Sequence, residues 1–291
     1  MEKKMRLDKF LTDMGAGTRS QIKDMAKKGR IQVNGETVKK TDIKVDPAAD
    51  TVVCGGVRVA YAAMEYYMLN KPQGLVSATE DNLHRTVIDL IKSKPPKGES
   101  GEKAHVTGPR RKDLFPVGRL DIDTEGLLLI TNDGELAHHL LSPRHHVDKV
   151  YFAQVSGALP ENVREQFARG ITLSDGTPTM GAVLTLLDHE PRRNREDREQ
   201  ETDGQGQEDG KISRILLTIR EGKFHQVKRM FEAVGCRVVF LKRVSMGSLK
   251  LDETLEPGEY RPLSQEEVER LRMLPQILEQ ENYRNQDKGK G

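Results

Sequence analysis

Leu7, Phe10, Leu11 and Met14 recur at helical spacing, and Gly15-Ala16-Gly17 breaks the run, which predicts a helix over 5–14. A second, more polar helix is predicted over 20–28, with Gly29 as its stop. The period then shortens. Ile31-Gln32-Val33 and Thr37-Val38 flank Asn34-Gly35, and Val52-Val53 and Val57-Arg58-Val59 flank Gly55-Gly56. Apolar runs set around residues that accept positive φ predict two hairpins. Residues 1–60 therefore read as a small α/β module, joined through Tyr61-Ala62-Ala63 to a larger domain over 61–275.

That domain opens with an expected strand over 65–69 and a turn at Lys71-Pro72-Gln73-Gly74. Further on, the acidic stretch Asp121-Ile122-Asp123-Thr124-Glu125 runs into an apolar segment that ends at the turn Asn132-Asp133-Gly134. A strand is expected over 148–157, with Lys149 and Tyr151 on one face. Over 224–234, Val227, Met230, Phe231 and Val234 form a helical core stripe that leaves His225, Lys228, Arg229 and Glu232 opposite, with Gly235 as the stop. Short strands mixed with single helices in no regular βαβ order predict an α+β fold, with a mixed, largely antiparallel sheet in the larger domain. Two polar insertions, about 92–112 and 190–210, and a tail over 276–291 lack the apolar residues to order themselves and are expected to be mobile.

Composition narrows the classes. With 35% apolar and 32% charged residues in 291, the chain reads as a solvated protein long enough for two domains. No apolar run approaches the roughly 18 residues of a membrane span, and the Met-Glu-Lys-Lys start lacks the apolar stretch of a signal peptide. No membrane association and a cytoplasmic location are expected. Cys54 and Cys236 stand far apart without ligand-spaced neighbours, so neither a disulfide nor zinc is expected. His145-His146 has no partner at ligand spacing either, and no Gly-x-Ser-x-Gly nucleophile elbow exists. The net charge of +2 conceals basic patches: twelve Lys/Arg against six Asp/Glu over 1–44, and eight against two over 219–250. Lys9, Arg19, Lys23, Lys27, Lys28 and Arg30 suit a polyanion, although a charge run alone is more often a solvated face.

A carboxylate at the mouth of a buried strand, as Asp121 would be, can act as nucleophile or base because the strand holds it while the loop leaves it open. The run from Gly118-Arg119-Leu120-Asp121 to Leu129 resembles the catalytic motif of rRNA pseudouridine synthases, and among them the RsuA-type enzymes of the small ribosomal subunit. Asn70-Lys71-Pro72-Gln73-Gly74, Ser142-Pro143-Arg144-His145-His146 through Lys149 and Tyr151, and the segment from Glu221 to Phe231 are similar to the family in order and spacing. Arg6-Leu7-Asp8-Lys9-Phe10-Leu11 with the run from Lys28 to Gly35 resembles the ribosomal S-four RNA-binding domain.

The resemblance implies isomerisation of a uridine to pseudouridine with Asp121 as the catalytic carboxylate and Lys228 as its cationic partner. It further implies Tyr151 against the target uracil, and Arg119 on the RNA in the space left by the extruded nucleotide. Arg6, Lys9, Arg19, Lys27, Lys28 and Arg30 would contact phosphate. No cofactor or metal is implied. The expected partner of the monomer is rRNA within a ribosome-assembly intermediate, 16S rather than 23S. A non-catalytic assembly factor and a hydrolytic uracil glycosylase are the competing readings.

Overall fold

The computed structural model describes residues 4–98, 111–189 and 212–273. The predicted insertions and tail fall mostly outside these residues, and the described ends of the first insertion are anchored. Tyr260 Oη donates to the Lys94 carbonyl at 2.7 Å, Lys97 pairs with Glu259 at 2.8 Å, and Arg111 is buried.

The N-terminal module begins with strand β1 (Met5–Arg6), not with helix as the spacing predicted. Its backbone is extended at Arg6, and the first amides of helix α1 (Leu7–Asp13) donate to the Ile43 and Thr41 carbonyls. Helix α2 (Arg19–Lys27) starts at a capping box in which Thr18 and Gln21 satisfy each other's backbone amides. The two hairpins follow as β2 (Ile31–Val33) with β3 (Glu36–Thr37), and β5 (Val52–Cys54) with β6 (Val57–Val59), while β4 (Lys44–Val45) pairs with β1. Leu7, Phe10, Leu11, Ile22, Ala26, Ile31 and Val52 make a core of their own. Arg111 ties this module to the larger domain. It donates to Tyr61 Oη and the Ala62 carbonyl, each at 3.5 Å, and lies 3.7 Å from Asp13.

Among the described residues the larger domain is built on a nine-stranded sheet. Its strands are β7 (Tyr66–Lys71), β8 (Phe115–Pro116), β9 (Glu125–Thr131), β10 (Lys149–Ser156), β11 (Val183–His189), β12 (Ile212–Ile219), β13 (Arg237–Met246), β14 (Leu249–Lys250) and β15 (Tyr260–Pro262). The main path runs β11-β12-β10-β13-β9-β7-β15, and every pairing is antiparallel except β13 with β9. This is the mixed, largely antiparallel α+β arrangement expected. Helices α3 (Val87–Ser93), α5 (Val163–Arg169) and α6 (Gln226–Glu232) contribute to the core that holds Leu128 and Ile130. Helix α4 (Gly134–Leu141) and Leu271 share a second core with Leu127 and Leu129. Strand β9 is apolar at consecutive positions because both its faces are covered. Asn132-Asp133-Gly134 is the start of α4, capped by Asp133, whose carboxylate accepts from the Leu136 amide at 3.0 Å.

Candidate active site

The acidic loop between β8 and β9 is held from below by Lys71, a fully buried lysine at the end of β7. Its ammonium donates to the carbonyls of Asp121 at 3.0 Å, Thr124 at 2.9 Å, Pro72 at 3.0 Å and Ile122 at 3.4 Å. Ser77 Oγ donates to the Leu120 carbonyl at 2.9 Å and accepts from its amide at 3.0 Å, and the Gly74 amide donates to the Ile122 carbonyl at 2.7 Å. Burial pushes the Lys71 pKa down to about 8, against the pull of Asp121, Asp123 and Glu125. Gly126, where β9 meets β13, has φ +102°, and a Cβ there would sit 2.2 Å from the Arg243 carbonyl oxygen. The loop therefore enters the sheet at a point that excludes every other residue.

Lys228 reaches the loop from the first turn of α6. Val227, Met230 and Phe231 bury the opposite face of that helix, as the stripe predicted. The Lys228 ammonium lies 3.0 Å from Asp121 Oδ2 and 2.6 Å from Asp123 Oδ1. Burial opposes its charge, yet the hydrogen bonds to Asp123 and Asp121 outweigh that and hold its pKa above the ordinary lysine value. The predicted helix 224–234 is shorter in the structure. His225 is the N-cap, at φ 47° in the left-handed region, and its Nε2 approaches Asp121 Oδ1 to 3.6 Å. Gln226 is buried and braces the turn through the Lys223 amide and Glu221, at 2.9 Å each.

Asp121, Arg119 and Tyr151 line one cleft, open to solvent, with Thr124, His225 and Leu241. Tyr151 is 8% exposed on β10, opposite Arg243 of β13. Arg119 stands exposed on the rim, and the adjoining Gly118 packs against Leu141. The structure thus brings Asp121, Arg119, Tyr151 and Lys228 to one place. The sequence reading gave no role to Lys71, Asp123 or Gln226. Lys71 carried a signal, a lone cation at the end of an apolar strand, but nothing local told which carbonyls it would meet. His145 stacks on His139 with ring centroids 3.7 Å apart, which fixes the loop before β10.

The six basic residues of the N-terminal module expected to contact phosphate divide into two groups. Arg6 holds Asp8 through two hydrogen bonds, at 3.0 and 2.7 Å, and Lys9 pairs with Asp13 at 2.9 Å. Arg19, Lys27, Lys28 and Arg30 are exposed and make no ion pair among the described residues. Arg30 also lines a shallow depression with Gly29, Gln32, Gly55 and Gly56. No described helix is long and apolar enough to cross a membrane.

Residues 65–233 match the RNA pseudouridylate synthase family, and residues 5–52 match the S4 domain. An uncharacterized RNA pseudouridine synthase of Bacillus subtilis is 40% identical over 267 residues, covering 92% of this chain and 98% of that protein. The ribosomal small subunit pseudouridine synthase A of Escherichia coli is 36% identical over 265 residues, covering 91% and 98%. A crystal structure of a pseudouridylate synthase, 35% identical, covers 92% of this chain and 99% of its own, with a TM-score of 0.54. With the family match spanning more than half of its length and relatives alignable almost end to end, the chain belongs to the RNA pseudouridine synthases.

Proposed function

We propose that this enzyme isomerises one uridine of small-subunit (16S) rRNA to pseudouridine, with Asp121 as its catalytic carboxylate. The observation that carries the reading is the Asp121 carboxylate, paired with Lys228 at 3.0 Å, at the edge of a cleft lined by Tyr151 and Arg119. The names of the E. coli and Haemophilus influenzae relatives supply the small-subunit target.

The reaction breaks the bond between N1 of uracil and C1′ of ribose and forms one from C5 to C1′. C5 loses its proton and N1 gains one, so no atom or electron need come from outside. Asp121 either forms a covalent bond to ribose or base, or removes a ribose proton; both need an ionised carboxylate beside the sugar. Lys228 supplies the fixed countercharge. Tyr151 offers a ring face against which the detached uracil turns without leaving, and Arg119 meets the RNA at the rim. The first 60 or so residues grip phosphate through Arg19, Lys27, Lys28 and Arg30, with Arg6 and Lys9 available once they exchange their carboxylates for phosphate. Extrusion of a nucleotide requires RNA not yet packed away, so the substrate is placed in an assembly intermediate.

Mapping pseudouridine across both rRNAs with and without the gene tests this. Loss of one 16S site is the expected result. Loss confined to 23S reassigns the target, and an unchanged map leaves a non-catalytic assembly factor.

A further inference from the structure

Phe224, between the cleft-lining residues Lys223 and His225, leaves 73% of its surface open. One face of its ring is nevertheless covered, because it stacks on His225 with centroids 3.8 Å apart and planes 18° from parallel. His225 is itself held in the left-handed region at φ 47°, lines the cleft, and places Nε2 3.6 Å from Asp121 Oδ1. A strained backbone thus presents an aromatic ring with one face covered and the other bare, one ring-stack away from Asp121. The surroundings are polar, and their lysines are paired: Lys223 with Glu221 at 2.7 Å, and Lys228 with Asp121 and Asp123. Arg119, exposed and without an ion pair among the described residues, lines the same cleft, as does Lys223. A lone open ring beside the unpaired Arg119 suits the face and backbone of a nucleotide better than the broad apolar patch of a protein partner.

We propose that Phe224, backed by His225, is a stacking platform for an unpaired base adjacent to the target uridine. The proposal rests on the RNA-isomerase reading given above. Extruding the uridine strips its neighbour of a stacking partner, and Phe224 replaces it. Stacking tolerates any base, so the platform sets affinity and register, not sequence choice.

Turnover of rRNA labelled with tritium at uridine C5, which is released as C5 bonds to the sugar, gives the test. Phe224→Ala is expected to raise KM roughly tenfold, while Phe224→Trp restores it. The melting temperature of both should match the parent, since the side chain packs into no core cluster. Once the target is mapped, rRNA with an abasic nucleotide on one side of it should cost the parent enzyme a similar factor and Phe224→Ala nothing further. An unchanged KM in Phe224→Ala, or equal abasic penalties in both proteins on both sides, overturns the platform while leaving the isomerase intact. No tritium release by the parent enzyme overturns both.

Discussion

In the N-terminal module Arg19, Lys27, Lys28 and Arg30 stand in solvent with no ion pair among the described residues, whereas Lys228 in the cleft is 19% exposed and held between Asp121 and Asp123. Solvated cations give up counterions to a polyanion one at a time, so their effect is additive and falls with salt. A cation half withdrawn from water between two carboxylates behaves otherwise. Its removal leaves those carboxylates uncompensated, and its value lies in position, not in charge count. On the proposed reading the two regions divide binding from chemistry, and substitutions at each should fail in different ways.

The sharpest break comes at Asp121. Asp121→Ala should lower product formation by at least about 10⁴-fold while rRNA affinity stays within about threefold, measured by tritium release and filter binding. Lys228→Met belongs to the same class, with a loss of about 10²- to 10³-fold expressed in kcat. Residual turnover by Asp121→Ala near the parent rate would falsify the assignment. A matching collapse in RNA affinity would instead erase the distinction between the two regions.

Lys71 comes next because it acts on chemistry only through the loop it holds. Lys71→Met removes the donor shared by the carbonyls of Pro72, Asp121, Ile122 and Thr124. A loss of roughly 3 kcal/mol in denaturant unfolding is expected, from buried carbonyls left without partners. The rate should fall about 100-fold even where the protein is fully folded, since Asp121 loses its fixed position. A variant that is destabilised yet fully active would make Lys71 a fold element alone.

This residue also marks how far the sequence could be read. The hairpins at Asn34-Gly35 and Gly55-Gly56, the core stripe of α6 and the double-sided strand β9 follow from local chemistry, and the structure has each of them. Asp121 and Lys228 stood out through their motifs, 107 positions apart, although only the tertiary fold puts them 3.0 Å apart. The start of α1 was misread because the amides of Leu7 and Asp8 are taken by Ile43 and Thr41, distant residues that no local pattern reveals. Arg111 lies in the insertion expected to be mobile, yet it is 8% exposed and joins the two modules. Long-range partners, not propensity, decide such positions.

A smaller effect separates burial from function. Lys149 is 5% exposed, and its ammonium donates to the Val147 carbonyl at 3.0 Å. Burial lowers its pKa to about 8, with the charge of Arg243 adding to the effect. The unfolded chain therefore binds the extra proton between pH 8 and the ordinary lysine value of 10.5, and stability rises with pH across that window. Lys149→Met should be more stable than the parent by on the order of 3 kcal/mol below pH 8, with the advantage gone above about pH 10.5. Thermal unfolding across this range would reveal it. A constant gain at every pH would assign the effect to packing.

The smallest change is expected where the charges are most exposed. Lys27→Gln with Lys28→Gln should weaken rRNA binding several-fold at moderate salt and reduce the slope of log affinity against log salt by about two, one for each phosphate no longer neutralised. At saturating RNA the turnover number should not move, because these side chains touch no reacting atom. Arg6 and Lys9 give the control within the same module. Each already neutralises a carboxylate, Asp8 at 2.7 Å and Asp13 at 2.9 Å, and has to leave it before it meets phosphate. Their replacement by Gln should therefore change the slope by less than about one unit in total, although two charges are again removed. Equal slopes for the two pairs would mean that these internal ion pairs open without cost in the complex. Charge count alone would then describe how the module holds RNA.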